Sequence, residues 1–415
     1  MYMSKKTIFF IPAFLYLSLI LGFFLNEDSN GGAFVDYQSY INLIRLFVLD
    51  FNNTLLNFDN YGERHSPVLI IILSFFYKIN IDDSVIRLIN LNFSIISIIF
   101  FFKCLKIKFN KIENSYLFLI SVTFLLSPTF RSLSIWPDSR IYGFHFFVLS
   151  TYFYMKFIYT DKKTYYCYLN ILFLAISSYF SPNFSLFSIY FIYQFYKHLN
   201  ISKELLFCVF FNLILAFPAF YYLFVLDVFF LASGDVPGNK QLSKLGIPIQ
   251  YNISNKILII SSILTFYFVP ILIIKNKIFL YTNKIKIKSF VSLLLFFLIM
   301  VYTFDYKLDY TGGGIFFHAS NLIFKNNILF YLVSLFSIIF IFKFCIQKFD
   351  NLILILIIFL SNPQLSIYHK YYDPLVIFLI FTLFKIDFNK SFFKLKNILA
   401  IHFYLSIFLC LNILK

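Results

Sequence analysis

Run after run of apolar residues fills this sequence, each close to the length that crosses a bilayer and parted from the next by a short basic or aromatic loop. A helical crossing needs about 20 predominantly apolar residues. Lipid offers no water to satisfy open backbone, so such runs fold as helices. Of the 415 residues 60% are hydrophobic and only 13% charged, where a soluble domain carries about 25% charged residues. The fold class expected is all-α, a polytopic transmembrane helical bundle of about 13 spans. They lie near 7–25, 84–102, 114–130, 141–158, 165–180, 184–196, 205–231, 256–274, 289–304, 327–345, 351–361, 374–386 and 397–414. The first run has a basic start and no small-residue cleavage site, so it reads as a retained span.

The charges orient the chain. With the N-terminus in the cytoplasm, the inner segments collect most of the lysines, among them Lys103, Lys106, Lys108, Lys111, Lys162, Lys163, Lys284, Lys286, Lys288, Lys390, Lys394 and Lys396. Only Glu113, Asp161, Glu204, Asp350 and Asp387 among the acids join them. That is the positive-inside pattern, and it holds only if Pro67 to Ile79 does not cross. This apolar stretch is short, as a re-entrant or interfacial helix is. The net charge of +16 is therefore an orientation signal and implies no nucleic-acid partner. The five cysteines lie in or beside apolar runs with no CxxC pair, which indicates neither a disulfide framework nor a zinc site.

With that topology the polar loops that are not lysine runs face outward, the first of them over residues 26–83. Here Asp36 opens a run with Tyr37, Tyr40, Ile41, Ile44, Phe47 and Val48 at helical spacing. An amphipathic helix beside a span is expected to lie in the interface with its apolar face in lipid. Asp36 is either a helix cap or a carboxylate placed to act as a general base. Glu63, Arg64 and His65 precede Ser66-Pro67, which reads as an N-cap and first helical residue. Arg64 has the fork geometry suited to phosphate. Arg131 to Arg140 is expected as an outer loop, with Asp138 as a second carboxylate and Arg131 and Arg140 facing a phosphate. The alternative reading of this loop is an interfacial Trp136 with surface ion pairs among Arg131, Asp138 and Arg140. The last outer loop carries Tyr368, His369, Lys370, Tyr371, Tyr372 and Asp373, a composition that suits contact with a lipid phosphate or a sugar. Asp305, Asp309, Gly312–Gly314 and His318 form a further outer loop, and Asp227 has no evident partner.

These residues resemble the GT-C membrane glycosyltransferases. The resemblance is carried by Asp36 beside the first span, His65-Ser66-Pro67 ahead of a short apolar helix, and Val85-Ile-Arg87-Leu-Ile-Asn90-Leu in the next span. Ser127-Pro128 and then Asp138 at the start of the following span continue it, over roughly residues 7–160. Lys370-Tyr371-Tyr372-Asp373-Pro374 is similar to an element of that fold's later outer loops. The resemblance implies one integral membrane domain over 1–415, with a GT-C-like core at 7–160 and a catalytic first outer loop at 26–83. It implies transfer of a sugar from a polyprenyl-phosphate donor to a lipid or glycan acceptor, on the outer face of a bacterial inner (plasma) membrane. Asp36 would be the catalytic base and Asp138 a second acid near the acceptor. Tyr37, Glu63, Arg64, His65, Arg131, Arg140, His369, Lys370 and Tyr372 would bind donor or sugar. The first loop has a single Asp-Tyr where that family shows an acid pair, so a divalent cation, magnesium or manganese, stays open as a cofactor. A polysaccharide polymerase or ligase of the Wzy or EpsG type is the second reading, and a lipid-linked saccharide flippase the third.

Overall fold

The computed structural model describes residues 5–61, 66–225, 252–275, 286–307, 312–362 and 366–414. Every ordered element among them is a helix. The chain forms two compact units, Met1–Phe230 with Phe393–Lys415, and Leu231–Phe392.

The first unit begins with α1 (Lys5–Phe24), followed by α2 (Ala33–Leu49), α3 (Phe51–Leu56) and α4 (Pro67–Lys78). Then come α5 (Asp83–Lys108), α6 (Asn114–Ser121), α7 (Pro128–Ile135), α8 (Ser139–Tyr159), α9 (Tyr165–Phe180), α10 (Phe187–Leu199) and α11 (Lys203–Phe224). The C-terminal α18 (Leu395–Ile413) returns to this unit, where His402 bonds the Leu119 carbonyl of α6 at 2.8 Å. Small and polar residues let the central helices approach, as in other lipid-embedded bundles. Ser177 of α9 donates to the Gly143 carbonyl of α8 at 2.7 Å, and a Cβ at Gly143 would stand 2.6 Å from that of Ser181. Asn170 on α9 donates to the Ser150 carbonyl and hydroxyl of α8, at 3.0 and 2.8 Å.

In the second unit α12 (Ile253–Ile274) is buried along most of its length. Around it stand α13 (Ile287–Tyr302), α14 (Gly314–Phe324), α15 (Ile328–Gln347), α16 (Phe349–Leu360) and α17 (Leu375–Phe381).

Five of the described helices are long and apolar enough to cross a membrane, α5, α11, α12, α15 and α18, or six if the bent pair Asn114–Leu126 and Pro128–Ile135 counts as one. Several of the other expected spans are helices shorter than a crossing needs, such as α10, α16 and α17, or less apolar, such as α8.

Two local expectations are corrected. The 114–130 run is not one straight helix. It passes through a 3-10 turn (Val122–Leu126) and bends by 70° at Ser127, whose hydroxyl accepts the Phe130 N–H at 2.9 Å and starts α7. Arg131 thus lies in a buried helix and not in an outer loop. Nor does the patterned face of α2 lie in lipid: Tyr37, Tyr40, Ile44 and Phe47 are buried and α2 packs on α4. Phe34, Val35 and Leu49 are the large apolar α2 residues left exposed, beside the polar Gln38, Ser39, Asn42 and Arg45. The apolar stripe of α2 is buried, but the burying surface is protein: α2 packs on α4, whose Leu69, Ile70 and Leu73 are buried as well.

Candidate active site

Asp28, in the Asp-Ser-Asn-Gly-Gly turn before α2, accepts the N–H groups of Gly32, Ala33 and Phe34 at 2.8, 3.1 and 3.3 Å. It also accepts the Ser132 hydroxyl at 2.8 Å, which fastens the start of α2 to α7. Asp28 therefore meets the orphan donors of the first turn, and Asp36 is not the cap of its helix. The Asp36 carboxylate points across to α8 instead and takes the Arg140 Nη2–H at 2.7 Å.

Asp138 begins α8 as its N-cap, accepting the Arg140 backbone N–H at 2.7 Å. The same carboxylate takes the Arg140 side chain in a fork, Nε–H at 2.8 Å and Nη2–H at 2.6 Å. Exposure falls steadily through this trio: the Asp36 side chain is 35% exposed, Arg140 12% and Asp138 1%. Asp138 is an interior anchor, Arg140 the arm it fixes, and Asp36 the end that meets solvent. Planar forks of this kind fix direction as well as distance.

Beside the trio lies a stacked group. Trp136 is buried, its indole N–H donating to the Glu27 carbonyl at 3.1 Å, so it is no interfacial anchor. The Arg87 guanidinium sits 3.6 Å from its ring and donates to the Asn26 side chain and the Ile135 carbonyl, at 2.8 and 3.3 Å. One turn on, Asn90 donates to the Leu133 and Ser134 carbonyls at 2.9 and 2.7 Å. The arginine and asparagine of the α5 motif thus hold the C-terminal end of α7 and the residue after it. Tyr37 packs near Trp136 and donates to Asp83, as Tyr77 does at 2.8 Å. Burial, reinforced by Asp83, raises the Tyr37 phenol far above its ordinary value, and burial also raises Tyr77. Both stay neutral donors.

Arg131 is elsewhere. It grips Glu27 through Nε (2.8 Å) and Nη2 (2.6 Å) and donates to the Ser18 hydroxyl and carbonyl of α1, both at 2.9 Å. All its nitrogens are engaged inside the protein, so it does not face a phosphate. Glu27 and Asp28 are site residues that the charge and spacing patterns of the sequence do not single out. The turn-forming Asp28-Ser-Asn-Gly-Gly stretch was the signal for the cap.

His369, Lys370 and Tyr372 belong to the second unit. His369 Nε2 pairs with the Tyr267 hydroxyl at 2.8 Å, and Phe266 meets the imidazole edge-on. Desolvation holds the imidazole well below its ordinary pKa, so it is neutral at physiological pH and brings no positive charge to a phosphate. Lys370 stands 4.9 Å over the Tyr368 ring, and Tyr372 is buried. The glycine loop packs beneath this segment, with the Gly313 N–H donating to Ile367 at 2.8 Å and the Tyr306 hydroxyl accepting the Ile367 N–H at 3.2 Å. Glu63, Arg64, His65, Asp227 and Asp309 lie outside the described residues.

No cluster of three or more His, Cys, Asp or Glu side chains able to hold a metal occurs among the described residues. The trio does not fit a divalent cation either, because a guanidinium stands between its two carboxylates. No family model, curated protein or solved structure matches the chain.

Proposed function

We propose that this chain is a multi-pass membrane glycosyltransferase of the GT-C kind, with Asp36 as general base. It would move a sugar from a polyprenyl-phosphate-linked donor to a lipid or glycan acceptor on the outer face of a bacterial inner membrane. One observation carries the reading: Asp36 reaches solvent from an amphipathic helix beside the first membrane-length run, held by an arginine that a buried carboxylate fixes in place. A general base has to stand within hydrogen-bond reach of the proton it takes, in a fixed position. An interior ion pair that ends in a solvent-facing acid provides that fixity, and a purely structural pair needs no such exposed end.

In this reading Asp36 removes the acceptor hydroxyl proton as that oxygen attacks the anomeric carbon, and the polyprenyl phosphate leaves. Arg140, one hydrogen bond from the base, is the nearest cation for the departing phosphate. Asp138 acts through Arg140 as a positioning residue and not as a second acid at the acceptor. Arg131 takes no part, while Glu63, Arg64 and His65 remain candidates for donor binding. The topology of 13 crossings with a cytoplasmic N-terminus belongs to the same proposal and is supported by the inner lysines.

The test is sugar transfer from a radiolabelled lipid extract in membranes carrying wild type or Asp36→Asn. Lost transfer at an unchanged protein level supports the proposal. Transfer undiminished in the variant removes Asp36 as base, and none by wild type removes the glycosyltransferase reading in favour of polymerase or flippase.

A further inference from the structure

The helix α11 is the least enclosed of the membrane-length helices, with 11% of its apolar stretch buried against 33% to 78% for the others. It leans on α9 and α10. Its register against α9 is fixed by three contacts in order along both helices. Near the lysine-flanked start, the Cys167 and Cys208 side chains are neighbours across the two helices. Next, the Tyr168 and Phe211 rings meet edge to face at 5.9 Å. Further along, the Tyr179 hydroxyl donates to the Leu215 carbonyl at 2.6 Å. Because 167, 168 and 179 meet 208, 211 and 215 in rising order, the two helices run in the same general direction, and the thiol contact follows from their register.

Both sulfurs are fully buried, and both cysteines are reduced. The neighbours of Cys208 on the outer side of α11, Leu206, Phe207 and Phe210, are exposed apolar side chains. A small membrane-soluble oxidant would reach the pair from this lipid-facing side as α11 parts slightly from α9. Of the five cysteines, Cys104 is buried on α5, while Cys345 and Cys410 lie on α15 and α18.

We propose that Cys167 and Cys208 are a redox modification site, closing to an intramolecular disulfide that clamps α11 onto α9. With a peroxide as oxidant the first thiol gives up its proton and its sulfur takes one peroxide oxygen, leaving a sulfenic acid and one water. The second sulfur then attacks that sulfenic sulfur, forming the S–S bond and releasing a second water. Two thiols and one peroxide thus give one disulfide and two waters. A cellular dithiol reverses the step by thiol–disulfide exchange. This site needs no assumption about the reaction the chain performs.

The experiment uses the full chain in native membranes, treated with hydrogen peroxide, then denatured and labelled with a maleimide–polyethylene glycol that adds one mass step per free thiol. Untreated protein takes five labels, one per cysteine. Treated protein is expected to take three, to regain five after dithiothreitol, and to yield a single linked peptide pair containing Cys167 and Cys208. Cys167→Ser is expected to take four labels before and after treatment. Five labels after treatment overturn the proposal, and so does a linked pair that includes Cys104, Cys345 or Cys410 in place of either. The peptide map of wild type decides the matter even where a serine variant fails to accumulate.

Discussion

Asp36 and Asp138, far apart in the chain, accept hydrogen bonds from the same Arg140 nitrogen, at 2.7 and 2.6 Å. The two acids are unequal partners. Asp138 holds the guanidinium through both Nε and Nη2 and caps α8 besides, whereas Asp36 meets its Nη2 from a helix that is itself capped by Asp28. The geometry assigns stability to Asp138 and leaves Asp36 as the solvent-facing end.

The two Asp→Asn variants should separate accordingly. Asparagine at 138 still caps the helix but removes the buried counter-charge of Arg140, a change expected to cost about 3–5 kcal/mol. At 36 the lost pair is partly exposed and screened, so the cost is at most about 1 kcal/mol. Thermal unfolding of the purified protein in detergent reads both. An Asp36→Asn variant less stable than Asp138→Asn would reverse the assignment of anchor and free end.

The Glu27–Arg131 pair makes a different demand. It is buried and bidentate, and it ties the loop after α1 to α7. Glu27→Gln leaves the guanidinium inside the protein without its charge partner, expected to cost about 3 kcal/mol or more. Arg131→Lys keeps the charge but cannot repeat the fork, and loses about 1.5–3 kcal/mol per charged hydrogen bond forgone. Sugar transfer per folded molecule should stay at the wild-type level in Arg131→Lys. A selective loss of transfer would return Arg131 to the substrate.

How far the sequence disclosed this depends on the kind of interaction. Local signals read true: Ser66 and Pro67 cap and open α4, as their order predicts, with the Ser66 hydroxyl accepting the Val68 N–H at 3.3 Å. The same signal stood at Ser127-Pro128 and marks the start of α7, yet the apolar run on both sides hid the bend. Hydrophobicity sets whether a stretch is buried, while the cap decides where its direction changes. Asp36, Asp138 and Arg140 were legible as candidates because charges are sparse beside long apolar runs. Their roles were not, since an arginine two residues from one acid gives no sign of reaching another on a distant helix. The burying face of α2 was legible by periodicity, but periodicity does not tell lipid from a neighbouring helix.

The glycine loop of the second unit yields a backbone prediction. Gly312 has φ of 114°, and a Cβ there would stand 2.7 Å from the Ile367 carbonyl oxygen. Gly312→Ala therefore meets both an unfavourable dihedral and a backbone atom, and should cost about 1–3 kcal/mol. Gly31 has φ of 69° with open space around its missing Cβ, so Gly31→Ala meets only the left-handed dihedral, about 1–2 kcal/mol. Unfolding midpoints of the two variants should fall in that order, and equal shifts would mean that the Ile367 contact gives way without cost.

His369 contributes one component of the pH response of the second unit. Its imidazole is desolvated against Phe266 and Tyr267, and its folded pKa lies well below the value of about 6.5 expected when unfolded. As pH falls through 6.5 the unfolded chain binds a proton that the folded chain refuses, so the unfolded state gains and stability drops. The loss continues until pH reaches the depressed folded value, at up to about 1.4 kcal/mol per pH unit. His369→Gln can still bond the Tyr267 hydroxyl but does not titrate, so this component disappears. Denaturant unfolding of wild type and variant at pH 7.5 and 5.5 measures the difference. Wild type should lose about 1.4 kcal/mol more than His369→Gln over that interval, and parallel losses would show that the imidazole is protonated as readily in the folded chain as in the unfolded one.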